Sequence, residues 1–126
     1  MSNVLIQRLS DEEGYPLLDG PGVDAFVAEG GEAVLFLSGD PDRYKEAGDV
    51  AVVLPEIMKA LGCDMRAAVV SRKSEKEVAS RLGVTVWPAL AFFRDGDHLG
   101  NISRMQDWDV YLERITALRD GVTEAR

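Results

Sequence analysis

The chain has 126 residues, 46% hydrophobic and 29% charged, a profile that suits one globular domain with one core. Its formal net charge of −8 disfavours nucleic acid and anionic membrane as partners, since both are polyanions, and permits a basic partner. The one cysteine, Cys63, excludes an intramolecular disulfide.

The charge is uneven. Residues 1–32 hold seven acids (Asp11, Glu12, Glu13, Asp19, Asp24, Glu29, Glu32) against Arg8, a net of −6, and the rest of the chain carries −2. This imbalance reads either as solubility or as an acidic face for a cationic ligand. The opening MSNVLIQRLSDEEG lacks a basic region followed by a long apolar stretch, so no secretory signal is expected. The longest strongly apolar run, Trp87 to Phe93, is too short to insert across a bilayer. A cytoplasmic location follows as the expectation.

In chain order, Val4, Leu5, Ile6 and Leu9 predict a short N-terminal helix closed near Gly14. Tyr15 to Leu18 reads as a short strand, and Gly20-Pro21-Gly22 as a turn. Val23, Phe26 and Val27 have helical spacing, ended by Gly30-Gly31. Ala33 to Leu37, AVLFL, is a continuous apolar run, as in a strand covered on both faces. The polar stretch SGDPDRYKEAGD reads as a loop, and from about Val50 to Leu61 the pattern is helical, with Pro55 inside and Gly62 as the stop.

Arg66 to Val70 predicts another strand. Ser74 and Glu77 fit a capping box opening a helix that ends at Gly83. In VTVWPALAFFRDGDHLGNISR, Asp95-Gly96 predicts a hairpin turn between two strands, the first central and mostly buried. Trp108, Tyr111, Leu112, Ile115 and Leu118 mark one face of a closing helix, with Asp107 as N-cap. Alternating β and α elements followed by a hairpin and a helix imply an α/β fold: a mixed sheet with helices on both faces.

This order, with the interior Pro55 and a strand entered through Trp87-Pro88, resembles the thioredoxin fold over roughly residues 15–120. The expectation is a single domain over 1–126, with about five strands and a short added N-terminal helix. The resemblance lays Ala47-Gly48-Asp49-Val50 on that family's Cys-x-x-Cys and Pro88 on its cis-proline. SGDPDRYKEAGDVAVVLPEI, with RLGVTVWPALAFF downstream, is similar to the hydrogenase expression proteins called HyaE or HupG, the Ser38–Pro41 start of the loop being the most diagnostic part. That resemblance implies a chaperone in maturation of uptake [NiFe] hydrogenase. Its partner would be the small-subunit precursor or its twin-arginine signal peptide.

Disulfide exchange needs an attacking thiolate and a resolving thiol, and Ala47 and Val50 offer neither. An enzyme is therefore not expected; the alternative is a one-cysteine thiol enzyme using Cys63. His98, the one histidine, follows the Asp-Gly turn and reads as a surface residue rather than the centre of a triad or metal site. Asp40, Asp42, Glu46 and Asp49 do not match a calcium loop, and no glycine-rich phosphate loop is present. No cofactor or metal is expected.

What remains is binding. A cis Pro88 would turn the backbone of Val86 and Trp87 outward, for an extended peptide to pair with. Trp87 reads equally as an apolar wall of that site or as core. The opposite rim would be the loop 38–50, offering Asp40, Asp42, Glu46 and Asp49 to a cationic peptide against Arg43 and Lys45, or serving only as a solvated connector. A third reading is a permanent scaffold subunit that packs through Trp87 and Phe92 or Phe93.

Overall fold

A computed structural model describes residues 4–40, 42–62 and 65–120. In chain order the elements are α1 (Val4–Asp11), β1 (Leu17–Leu18), α2 (Gly20–Ala28), β2 (Glu32–Leu37), α3 (Glu46–Leu61), β3 (Arg66–Val70), α4 (Glu75–Leu82), β4 (Ala89–Arg94), β5 (Asp97–Ser103) and α5 (Trp108–Arg119). The five strands form one mixed sheet in the order β1-β3-β2-β4-β5. β2 runs parallel to β3 and antiparallel to β4, so the two central strands are apolar on both faces.

Alternation along the strands divides the core into two layers. Val34 and Phe36 of β2, with Leu90 and Phe92 of β4, meet Leu9 of α1, Leu54 and Ile57 of α3, and Tyr111 and Ile115 of α5. Ala33, Leu35 and Leu37, with Ala89, Ala91 and Phe93, meet Val23 and Phe26 of α2 and Val78 and Ala79 of α4. Helices therefore cover both faces of the sheet, and the N-terminal helix is present.

Four local expectations are corrected. Gly20-Pro21-Gly22 is not a free turn but the first turn of α2: Asp19 Oδ1 accepts from Gly22 N at 2.8 Å, and Pro21 occupies a position whose missing N–H costs no helical bond. α3 begins at Glu46, four residues before the expected start, which places Ala47 to Val50 inside the helix. The capping box at Ser74 does not form; Ser74 Oγ instead accepts from Gly20 N at 3.2 Å, joining the start of α4 to the start of α2. Asp107 holds the N-cap position of α5 without a side-chain cap, and Trp108 is 45% exposed rather than part of the buried face.

The scaffold reading is corrected as well. Phe92 and Phe93 are core side chains, 1% and 5% exposed, and are not available to another subunit. The acids of residues 1–32 do not gather into one uncompensated face: Glu12 pairs with Arg8, Asp24 with Arg81, Glu29 with Arg66, and Glu32 with both Arg94 and Arg119. Cys63 and Pro41 lie outside the described residues. Among the described residues, no helix is long and apolar enough to cross a membrane.

Candidate functional site: a cleft beside cis-Pro88

The Trp87-Pro88 peptide bond is cis. Beside it opens a cleft of ≈ 420 Å³ lined by Arg43, Tyr44, Lys45, Glu46, Thr85, Val86, Trp87, Pro88 and Arg104. Two chain segments make its walls. Thr85 to Pro88 enter the central strand β4; Arg43 to Glu46 run into the first turn of α3.

The first wall presents backbone. Thr85 and Val86 are exposed, Val86 at 44%. Among the described residues, none forms a backbone hydrogen bond with Val86 or Trp87, although the chain on either side is bonded: Val84 N donates to Ala79 O, and Pro88 O accepts from Arg104 N at 2.6 Å. Trp87 has two neighbours of different kind. It packs on the α2/α4 layer of the core and faces Tyr44 across the cleft, ring centroids 6.4 Å apart and tilted by 31°.

The second wall is held by a buried carboxylate. Glu75, 3% exposed at the start of α4, accepts from Gly39 N and Ser38 Oγ, each at 3.1 Å, and pairs with Arg72 Nε at 3.2 Å. Burial pushes its carboxyl above the ordinary glutamate range, with the Gly39, Ser38 and Arg72 contacts opposing. Gly39 packs against the Tyr44 ring and the Trp87 β-carbon. A β-carbon there would fall 2.7 Å from Tyr44 Cδ2 and 3.1 Å from Trp87 Cβ. Its φ of +69° adds a second reason for glycine. Glu75 therefore fixes the strand end from which the Tyr44 wall departs.

The lining is completed by Arg104, exposed and at a positive φ of 68°. Its N–H bonds Pro88 O, and its C=O accepts from the Tyr111 hydroxyl at 3.0 Å. The guanidinium grips Glu46 through Nη2 at 2.6 Å and Nε at 3.3 Å, and Glu46 Oε1 also accepts from Met105 N at 2.8 Å. These bonds, the Arg104 one first, hold the Glu46 carboxyl below its ordinary range.

Of the residues named from sequence, Glu46, Val86, Trp87 and Pro88 share this cleft; Asp40, Asp42 and Asp49 do not line it. Asp40 accepts from Asp42 N at 3.0 Å and stands 3.9 Å from Arg72, and Asp49 is exposed on α3. The lining itself holds three cations, Arg43, Lys45 and Arg104, against Glu46. Sequence reading missed Tyr44, Arg104 and Glu75. Arg104 had only a partial signal: counting back from the Asp95-Gly96 turn pairs Ala89 with Ile102, and the bulge at Phe92/Phe93 shifts the partner to Ser103, next to Arg104. Tyr44 and Glu75 had none, since both act through contacts distant in sequence.

His98 is exposed, stacked on Phe93 at 5.1 Å and 2.7 Å from Asn101 Oδ1. Among the described residues, no group of three or more His, Cys, Asp or Glu side chains converges on one point.

The fold and cleft define a thioredoxin-like domain with Ala47 and Val50, rather than thiols, at the start of the helix beside cis-Pro88. A thioredoxin of Halobacterium salinarum superposes with a TM-score of 0.66 at 17% identity, covering 88% of this chain and 93% of that one, a likeness of fold. The family model described as "Hydrogenase-1 expression protein HyaE" matches residues 5–111, and the chain belongs to that family.

The hydrogenase expression/formation protein HoxO of Azotobacter vinelandii is 45% identical over 124 residues, 98% of this chain and 83% of that one. HupG of Bradyrhizobium diazoefficiens is 47% identical over 111 residues, 85% and 75% of the two chains. The crystal structure of a hydrogenase expression/formation protein, hupG, of Rhodopseudomonas palustris is 40% identical. It covers 87% of this chain and 99% of that one, with a TM-score of 0.59. The chain is accordingly a member of a hydrogenase expression protein family built on a thioredoxin-like fold.

Proposed function

We infer that the protein acts by binding rather than catalysis, as a cytoplasmic chaperone that holds the small-subunit precursor of an uptake [NiFe] hydrogenase during maturation. The observation that carries this reading is the backbone of Val86 and Trp87, which pairs with none of the described residues and lies beside a cleft with an aromatic wall. An extended segment of the precursor adds there as a strand, its main chain supplying affinity and the Tyr44–Trp87 walls accepting an apolar side chain. Family membership supplies the hydrogenase context. With Ala47 and Val50 at the helix start, the same surface serves contact instead of thiol exchange.

The test is calorimetric titration of the protein with the small-subunit precursor, the mature subunit, and the twin-arginine signal peptide. A Lys-Lys version of that peptide and an unrelated twin-arginine peptide serve as controls. The expected result is binding of the precursor that is lost in Val86→Pro, which removes the strand-pairing donor, in a variant whose thermal transition is unchanged. Undiminished binding by folded Val86→Pro, or no binding of either form of the subunit, overturns the reading.

A further inference from the structure

We propose that the cleft selects an extended segment with an apolar centre and flanking carboxylates, so that the partner's contact lies on an acid-bearing stretch and not on a cationic one. The inference rests on the strand-addition reading above and adds the sign of the ligand. It comes from the contrast between the cleft and the molecule around it. The chain as a whole carries −8, yet the cleft lining holds Arg43, Lys45 and Arg104 against one carboxylate, Glu46.

The three cations are not equivalent. Arg104 is spent on Glu46, which grips it with both carboxylate oxygens and is itself tied to the Met105 backbone. Arg43 and Lys45 are both exposed, and neither has a carboxylate within ion-pair distance among the described residues. They flank Tyr44, the ring that faces Trp87, and the Arg43 guanidinium lies 5.5 Å from the Tyr44 ring centre. A strand pairing with Val86 and Trp87 places side chains alternately toward and away from this wall. Its apolar residue meets the two rings while its flanking side chains reach the two free cations.

The net negative charge of the protein opposes an acidic segment at long range. At physiological ionic strength that field is screened beyond about 8 Å, so the free cations act at contact and the remote acids do not. Each exposed pair changes affinity by about two- to fivefold, and exchanging attraction for repulsion at two positions separates acidic from basic ligands by about tenfold.

The experiment uses the full chain, isotopically labelled, with three synthetic pentapeptides sharing a Val-Ile-Val centre and flanked by Asp, Asn or Lys. Affinity is read from amide shifts of Val86 and Trp87. The expected order is Asp tighter than Asn tighter than Lys, the ends differing by about tenfold and converging in 0.5 M salt. In Arg43→Gln/Lys45→Gln the spread among the three peptides collapses, the Asp, Asn and Lys affinities agreeing within about twofold. Equal binding of all three overturns the charge preference while leaving strand addition intact, and tighter binding of the Lys peptide reverses it. Absence of any shift at Val86 and Trp87 removes the strand-addition reading and this inference with it.

Discussion

Replacing Glu75 by alanine removes the carboxylate that anchors the Tyr44 wall of the cleft. The side chain is buried, and its Oε2 receives both the Gly39 N–H and the Ser38 hydroxyl at 3.1 Å. Ser38 keeps an alternative acceptor in Gly39 O at 2.9 Å, but among the described residues the buried Gly39 N–H has no acceptor besides Glu75. An orphaned buried donor costs about 1–3 kcal/mol, and the lost packing of the stem adds about 1. Release from burying an ionised group offsets part of this, leaving an expected loss of about 2–3 kcal/mol. Glu75→Gln is expected to stay within about 1 kcal/mol of the parent at neutral pH. Its amide oxygen can accept both bonds, and the lost pairing partner Arg72 is half exposed and contributes little.

The two variants separate further with pH. The folded-state carboxyl of Glu75 lies above its ordinary value of 4.5, so the folded protein holds this proton more tightly than the unfolded chain. Its contribution to stability is therefore fully present below 4.5 and falls as pH rises through the raised folded value. Urea unfolding followed by far-ultraviolet circular dichroism, at pH 5, 6 and 7, reads both effects. The parent is expected to lose stability relative to Glu75→Gln as pH rises over this range. Parent-like stability in Glu75→Ala, or the same pH slope in Glu75→Gln and the parent, would refute the assignment of Glu75 as the buried anchor.

Two further predictions address the frame of the site. Gly39→Ala forces a β-carbon to 2.7 Å from the Tyr44 ring at a φ of +69°, and a loss of about 1–3 kcal/mol is expected. Thermal unfolding and intrinsic tryptophan fluorescence check it, since displacing Tyr44 alters the surroundings of Trp87. Glu32→Gln breaks the fork in which Glu32 binds Arg119 at 2.8 and 2.9 Å and Arg94 at 3.0 Å, fastening α5 to the sheet. The arginines are about a third exposed, so the expected loss at pH 7 is about 1–2 kcal/mol. The Arg119 hydrogen bond first, then Arg94, holds the Glu32 carboxyl below its ordinary 4.5. Its contribution is present above 4.5 and is lost as pH falls through the lower folded value, so urea midpoints of variant and parent should converge at strongly acid pH.

The apolar run Ala33–Leu37 and the hairpin around Asp95-Gly96 were readable from sequence because they rest on local chemistry. One is a burial pattern of five consecutive apolar residues; the other is a turn that needs residues tolerant of positive φ. Pro88 was readable through the order of elements around it. The start of α3 was not, because polar residues with turn preferences, Asp42 to Lys45, run into a helix whose first carboxylate, Glu46, is secured by Arg104 and the Met105 backbone. The capping box at Ser74 failed for a similar reason: a donor 54 residues away, the Gly20 N–H, took its hydroxyl.

By itself the sequence determined the order of strands and helices, the two-sided burial of the central strands, and the absence of sulfur at Ala47 and Val50. Each is set by residues near one another in the chain. Tertiary structure decided the character of the cleft. It drew Arg104, just past β5, into the lining, paired it with Glu46, left Arg43 and Lys45 exposed, and kept Asp40, Asp42 and Asp49 out of the lining. A loop rich in acids consequently borders a cleft whose lining carries more cations than carboxylates. The sign of a binding surface depends on which side chains face it and which are already paired, and neither is written in their spacing along the chain.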